Sequence, residues 1–150
     1  MRSILKLFHI LVLVFLLTGC QVGPTTPNPF LTSGGLVIKP GATSVTGRLI
    51  SASSGEPFVD EMIALAAVHR NEKGEGAYAL NSYSSPQTTT DAQGFFLFKD
   101  IPVGEYAVVT GDPMTRYLVL NDLSTGNVKI WKTEAGKVLN IGELRFDYNN

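Results

Sequence analysis

The sequence predicts an all-β sandwich or barrel of about 100 residues, behind an apolar N-terminal run and a proline-rich tether. Three observations carry that prediction. Short segments alternate apolar and polar residues. Glycine, proline, asparagine and aspartate punctuate them at near-regular intervals. No stretch after the first twenty residues has helical periodicity. A segment of this length supports one hydrophobic core and not two.

The N-terminus is expected to be an export signal, residues 1–19. Arg2 and Lys6 supply its positive start, and Leu7 to Leu17 is apolar except for His9. That run is too short for a membrane-spanning helix of about 20 residues. Thr18 and Gly19 then precede Cys20, the only cysteine in the chain. The ending Leu17-Thr18-Gly19-Cys20 resembles the lipobox of bacterial lipoproteins. The resemblance implies that the Cys20 thiol takes a diacylglycerol and that cleavage leaves it as the new N-terminus. The chemistry needs a thiolate, the strong nucleophile among side chains, and two or three acyl chains together anchor stably. Gln21 is not the aspartate-type retention signal, so the implied address is extracytoplasmic: the cell membrane or, in a host with two membranes, the outer membrane. A lone cysteine leaves no disulfide framework and no cysteine zinc site.

Residues 20–42 are expected to form the lipidated N-terminus and a tether. Pro24, Pro27, Pro29 and Pro40 stiffen the segment and Gly34-Gly35 loosens it. Its reach lies between ~25 and ~70 Å, from coil to fully extended. Leu36-Val37-Ile38 is apolar enough to dock as an extra edge strand.

Residues 43–150 carry the β pattern. Val45, Gly47 and Leu49 alternate with Thr46 and Arg48, and Ser53-Ser54-Gly55-Glu56-Pro57 is a turn. Met62 to Arg70 reads as a strand with Ile63, Leu65 and Ala67 on one face. A loop at 71–76, most simply solvated, leads to a strand with Tyr78 and Leu80. A tight turn at Asp91 to Gly94 precedes a strand with Phe96 and Phe98 facing one way, and the next strand carries Tyr106 and Val108. Further strands are expected at Tyr117 to Leu120, Val128 to Lys132 and Val138 to Phe146.

Thr90-Asp91-Ala92-Gln93-Gly94, then Phe96 and Phe98, then Pro102-x-Gly104-x-Tyr106, resembles the signature of carboxypeptidase-regulatory-like domains. Gly47, Gly55, Pro57, Ile63 and Leu65 fit the first two strands of that family, and the resemblance covers roughly Ser44 to Tyr148. It implies a transthyretin-like, Greek-key sandwich of seven or eight strands. Such domains commonly serve as rigid spacers, adhesion-like modules or accessory folds, and similar sandwiches bind glycans. The matching residues are structural and name no ligand.

Charge excludes one partner class. Without Arg2 and Lys6, ten basic residues face thirteen acidic ones, so no basic face for nucleic acid is expected. Enzymatic chemistry also finds little purchase. His69 is the only histidine beyond the signal, which excludes multi-histidine metal sites. It is expected at an exposed strand end, opposite Ile63, Leu65 and Ala67. The transthyretin-like hydrolases of purine breakdown depend on several histidines and a C-terminal tetrapeptide that this chain lacks. Asp60-Glu61 reads as a solvated turn. Ala92 and Phe95 break the oxygen-ligand pattern that a calcium loop requires. No lysine lies in the first strand to form an isopeptide cross-link with Asn140, Asn149 or Asn150. The expectation is therefore a non-enzymatic envelope protein without cofactor or metal, anchored to the membrane through its N-terminal lipid, with a structural, adhesive or protein-binding role. A carbohydrate-binding module is the alternative.

One segment carries a binding hypothesis. In Asn127-Val128-Lys129-Ile130-Trp131, inward Val128 and Ile130 turn Lys129 and Trp131 to the opposite face. An exposed Trp131 can stack on a sugar ring or enter a partner's groove. Tyr83 and Tyr117 are its candidate companions. The competing reading places Trp131 over a sandwich edge or in the core.

Overall fold

The computed structural model describes residues 26–148 except 33, 34, 82, 113 and 123. The signal segment, Cys20 and residues 21–25 lie outside the described residues. So do Asn149 and Asn150.

Alternation in β1 (Ala42–Ser51) turns Val45, Gly47 and Leu49 toward the core, and β1 forms the centre of the first sheet. It pairs antiparallel with β5 (Phe95–Pro102) and parallel with β9 (Val138–Phe146). The second sheet is built on β2 (Met62–Arg70) and β6 (Glu105–Asp112), antiparallel neighbours. The far edge of β2 carries β3 (Gly76–Ala79) and β4 (Gln87–Thr89) in succession. The far edge of β6 carries β7 (Arg116–Val119) and β8 (Ile130–Lys132).

The fold is an all-β sandwich. Its nine described strands exceed the expected seven or eight because two edges are each made of two short pieces. Counted by position across the sheets, three columns face four. Leu80 falls just beyond β3 and packs on the outer face of the second sheet.

The core joins Val45, Leu49, Ile63, Leu65, Phe96, Phe98, Tyr106 and Val108, the apolar phase read from the sequence. Phe96 pairs with Gly47, and its ring lies over the bare backbone there. A Cβ on Gly47 would sit 2.7 Å from Phe96 Cζ and 2.9 Å from the Gly142 carbonyl oxygen. The tight turn is also as expected. The Asp91 carboxylate accepts from the N–H groups of Gln93 at 2.9 Å and Phe95 at 2.8 Å, while Gly94 takes a left-handed φ of 82°. Tyr106 donates its hydroxyl to the Pro102 carbonyl at 2.7 Å, and its ring lies beside Gly104. That hydrogen bond accounts for the Pro-to-Tyr spacing, since it spans the β5–β6 turn and closes it.

Glu61 departs from the solvated turn expected of it. Partly buried at the start of β2, it accepts hydrogen bonds from the Tyr148 hydroxyl and from Thr110 Oγ1. Tyr148 stands edge-on to Phe146 and Phe58, which stack at 4.4 Å between centroids. This cluster ties the end of β9 to the opposite sheet. Burial, then the bond to Glu61, push the Tyr148 hydroxyl up to about 12.

Described residues of the expected tether meet the sandwich, Asn28 and Lys39 among them. A single helical turn, α1 (Pro29–Thr32), follows Asn28, whose Nδ2 donates to Thr46 Oγ1 at 3.1 Å. The Lys39 N–H donates to Asp100 Oδ1 at 2.8 Å. Residues 36–38 form no strand.

Two predictions follow from this packing. Phe96→Ala should cost about 3–5 kcal/mol in urea unfolding, and Gly47→Ala should also destabilise, because its new methyl collides with the Phe96 ring. An unchanged midpoint in Gly47→Ala would contradict the close approach. The second concerns alkaline pH. Folding favours the protonated Tyr148 hydroxyl, so stability should hold below about pH 10 and fall as pH rises through about 12. Tyr106, also raised by burial, adds to the fall. Tyr148→Phe should lose less stability over that window than wild type; an identical profile would remove Tyr148 from the account.

Candidate functional site

The segment between β7 and β8 is a hairpin that extends past the edge of the second sheet. Asn121 bridges to Val128, and the Lys129 N–H donates to the Leu120 carbonyl at 3.1 Å. Asp122 organises its tip by accepting from the Ser124 N–H at 2.9 Å and the Ser124 hydroxyl. Those two bonds, the hydroxyl first, hold the Asp122 carboxyl below its ordinary pKa, against a smaller opposing effect of desolvation.

This hairpin and the exposed side of β9 enclose an open groove of about 390 Å³. Trp131, Leu120 and Leu144 give it apolar walls, while Asn121, Asp122, Ser124, Glu143 and Arg145 ring it with hydrogen-bonding groups. Lys129 Nζ stands 5.3 Å from the centroid of the Trp131 ring. Arg145 Nη2 donates to Glu143 Oε1 at 2.5 Å, and Arg48 Nη1 donates to Glu143 Oε2 at 3.3 Å.

The structure reverses the expected phase of this strand. Trp131 pairs with inward-facing Tyr106 and packs against the main core, whereas Ile130 pairs with Ala107 on the outer face of the sheet. Val128 joins Ile130 there. Register with β6, rather than the apolarity of Val128 and Ile130, decides which way a three-residue strand points. Trp131 is thus half-buried as the competing reading has it, with one part on the core and the rest lining the groove.

Its suggested companions do not join it. Tyr117, 54% exposed, pairs with Gly111 on the opposite face of the sheet from Trp131. Tyr83, 99% exposed, sits in the β3–β4 loop at the far edge of β2. Cys20 lies outside the described residues. The groove residues that sequence reasoning missed are Asn121, Asp122, Ser124, Glu143 and Arg145. Asp122, Ser124 and Gly126 are turn-forming residue types, but nothing local in the sequence places them beside β9.

His69 also needs correction. It is exposed as expected, but it follows Leu65 and Ala67 on the same face, as a period of two requires. It lines a cleft of about 540 Å³ on the opposite flank of the sandwich, near Pro86 and Tyr106. Among the described residues, no group of three or more His, Cys, Asp or Glu side chains is placed to hold a metal ion. No described helix is long and apolar enough to cross a membrane.

No family model matches the chain, and no curated protein matches it. Solved structures do resemble it. A Pseudomonas aeruginosa protein described as a candidate carbohydrate binder is 15% identical, with a TM-score of 0.45 over 82% of this chain and 99% of that one. The major pilin subunit of Bacillus cereus is 11% identical, with a TM-score of 0.41 over 71% of this chain and 30% of the pilin. A DUF3823 family protein from Bacteroides uniformis is 15% identical, with a TM-score of 0.40 over 69% of this chain and 42% of its own. These are β-sandwich likenesses, and they assign no ligand.

Trp131 is the only tryptophan, so its emission reports this groove alone. Acrylamide should quench it to a degree between free tryptophan and a fully buried ring. Lys129→Met should cost no more than about 1 kcal/mol, the size of an exposed cation–π contact. Quenching equal to that of free tryptophan would mean the ring is not docked on the core.

Proposed function

We propose that the chain is a lipid-anchored, extracytoplasmic protein whose sandwich is a non-enzymatic binding module, with carbohydrate as its ligand. The anchor reading rests on the order of signal, small residues and Cys20 in the sequence. The binding reading rests on one observation: Trp131 offers an aromatic surface inside a groove rimmed by amide, carboxylate, hydroxyl and guanidinium groups. Sugars present apolar C–H faces and equatorial hydroxyls. An aromatic ring takes the first and planar polar side chains take the second.

A second reading has its own support. In the β3–β4 loop, the Asn81 carboxamide oxygen accepts from the N–H groups of Tyr83 and Ser84, and the Asn81 N–H donates to Ser85 Oγ. The loop is therefore held in shape while it presents a fully exposed Tyr83. Tyrosine on a serine- and asparagine-rich loop is a composition suited to a protein contact. This reading makes the chain an adhesive or structural element of the envelope.

Two measurements test these readings. In a host with lipoprotein processing, labelled fatty acid should enter wild type and not Cys20→Ser; equal labelling would defeat the anchor. On a soluble glycan array, wild type should bind and Trp131→Ala should not. Trp131→Phe serves as the control that keeps packing against the core. Loss of binding in variants whose melts are unchanged supports the groove. A photo-crosslinker at position 83 that captures a protein on intact cells, with no glycan bound on the array, favours the second reading.

A further inference from the structure

A second cavity, of about 570 Å³, opens on the outer face of the first sheet. One side is made by the N-terminal strap at Pro27, Asn28 and Leu31, and the other by Arg48, Asn140 and Phe95. Glu143 and Arg145 line both this cavity and the Trp131 groove. They form the ridge between the two, with side chains 35% and 53% exposed and so open to a ligand that crosses it. Each space lies within the range of about 300–1,000 Å³ that ordinary ligand sites occupy.

We infer that the two spaces form one cleft for a linear, carboxylate-bearing oligosaccharide, running from the Trp131 groove across the β9 edge to the strap. The inference rests on the carbohydrate reading above and adds the length and charge of the ligand. Length follows from the geometry, because Trp131 and Asn28 line spaces on the two sides of the ridge and a single sugar ring touches only one of them. Charge follows from the lining. Arg48, Arg145 and Lys129 outnumber Glu143 and Asp122. The single Glu143 carboxylate is shared between both arginines and so offsets only one of the two guanidinium charges, while Asp122 accepts from its own loop. A guanidinium has five N–H donors in a planar fork suited to a carboxylate, and Arg145 stands where the chain would cross. The strap wall is held in place: Asn28 fixes it to Thr46, and Oδ1 of the same residue accepts from the Phe30 N–H at 3.0 Å.

The test is calorimetric titration of the full chain in detergent with hexagalacturonate, digalacturonate and neutral cellohexaose. Hexagalacturonate should bind roughly tenfold or more tightly than digalacturonate, as one added charge-assisted contact would give, and added salt should weaken it. Arg145→Gln should remove most of that advantage and its salt dependence. Asn28→Ala should weaken the hexamer and leave the dimer unaffected, and Trp131→Phe should weaken both. Equal affinity for dimer and hexamer, lost in Trp131→Phe, would overturn the long cleft and leave the groove reading standing. Cellohexaose binding as tightly as hexagalacturonate would overturn the acidic ligand. Failure of both galacturonates to bind would overturn this inference, whereas the carbohydrate reading stands or falls on the glycan array.

Discussion

At the middle of the first sheet the Phe96 ring lies against the backbone of Gly47, leaving no room there for a side chain. The strand on the other side of β1 answers at the same place. Thr46 pairs with Asn140 and Arg48 with Glu143, so Ile141 and Gly142 together oppose the single residue Gly47. That extra residue is a β-bulge, and it changes the phase of β9. Before it, Leu139 and Ile141 face the core; after it, Leu144 and Phe146 do. Without the bulge, Glu143 and Arg145 would point into the core and Leu144 would face solvent. The pair that lines both the groove and the strap cavity therefore owes its outward direction to the bulge opposite Gly47.

The same device operates on the other flank of β1. Thr43 pairs with Ile101 and Val45 with Phe98, so Lys99 and Asp100 oppose Ser44 alone. Phe98 and Ile101 both face the core across this second bulge. Asp100 sits there with a left-handed φ of 55°, an angle that aspartate tolerates better than most residues. Its carboxylate receives the Lys39 N–H. An irregularity in the sheet thus creates the point where the N-terminal segment is held.

Long strands were legible in the sequence because alternation over eight to ten residues fixes which side is buried. Phe96, Phe98, Tyr106 and Val108 fell on their expected face, and the Asp91–Gly94 turn was readable from its side-chain chemistry. Bulges were not readable, since one inserted residue leaves composition unchanged. Short strands failed for a different reason. Three residues at Ile130–Lys132 hold too little periodicity to set a face, and pairing with Tyr106 overrode local apolarity. The outer face of the second sheet is itself apolar, where Ala64, Ala66, Ala107 and Val109 pack with Val128 and Ile130. An apolar residue in that sheet therefore did not have to point inward. The groove was illegible because its two walls, residues 120–131 and 143–145, meet only through tertiary structure.

Unequal sheets explain why open spaces lie on the flanks. Three columns cannot cover four, so the inward-facing side chains of the wider sheet emerge at its edges. On one flank Trp131 partly fills the gap and leaves the groove; on the other, Tyr106 and the residues before β4 border the His69 cleft. The strap then covers part of the outer face of the narrower sheet, where Thr46 is fully buried. This placement bears on the proposed anchor. A free tether of residues 20–42 would let the sandwich wander by as much as ~70 Å. With Asn28 bonded to Thr46, the path from residue 20 to residue 28 is at most about 25–30 Å at full extension. With Cys20 acylated as proposed, the strap would lie within that reach of its own acyl chains.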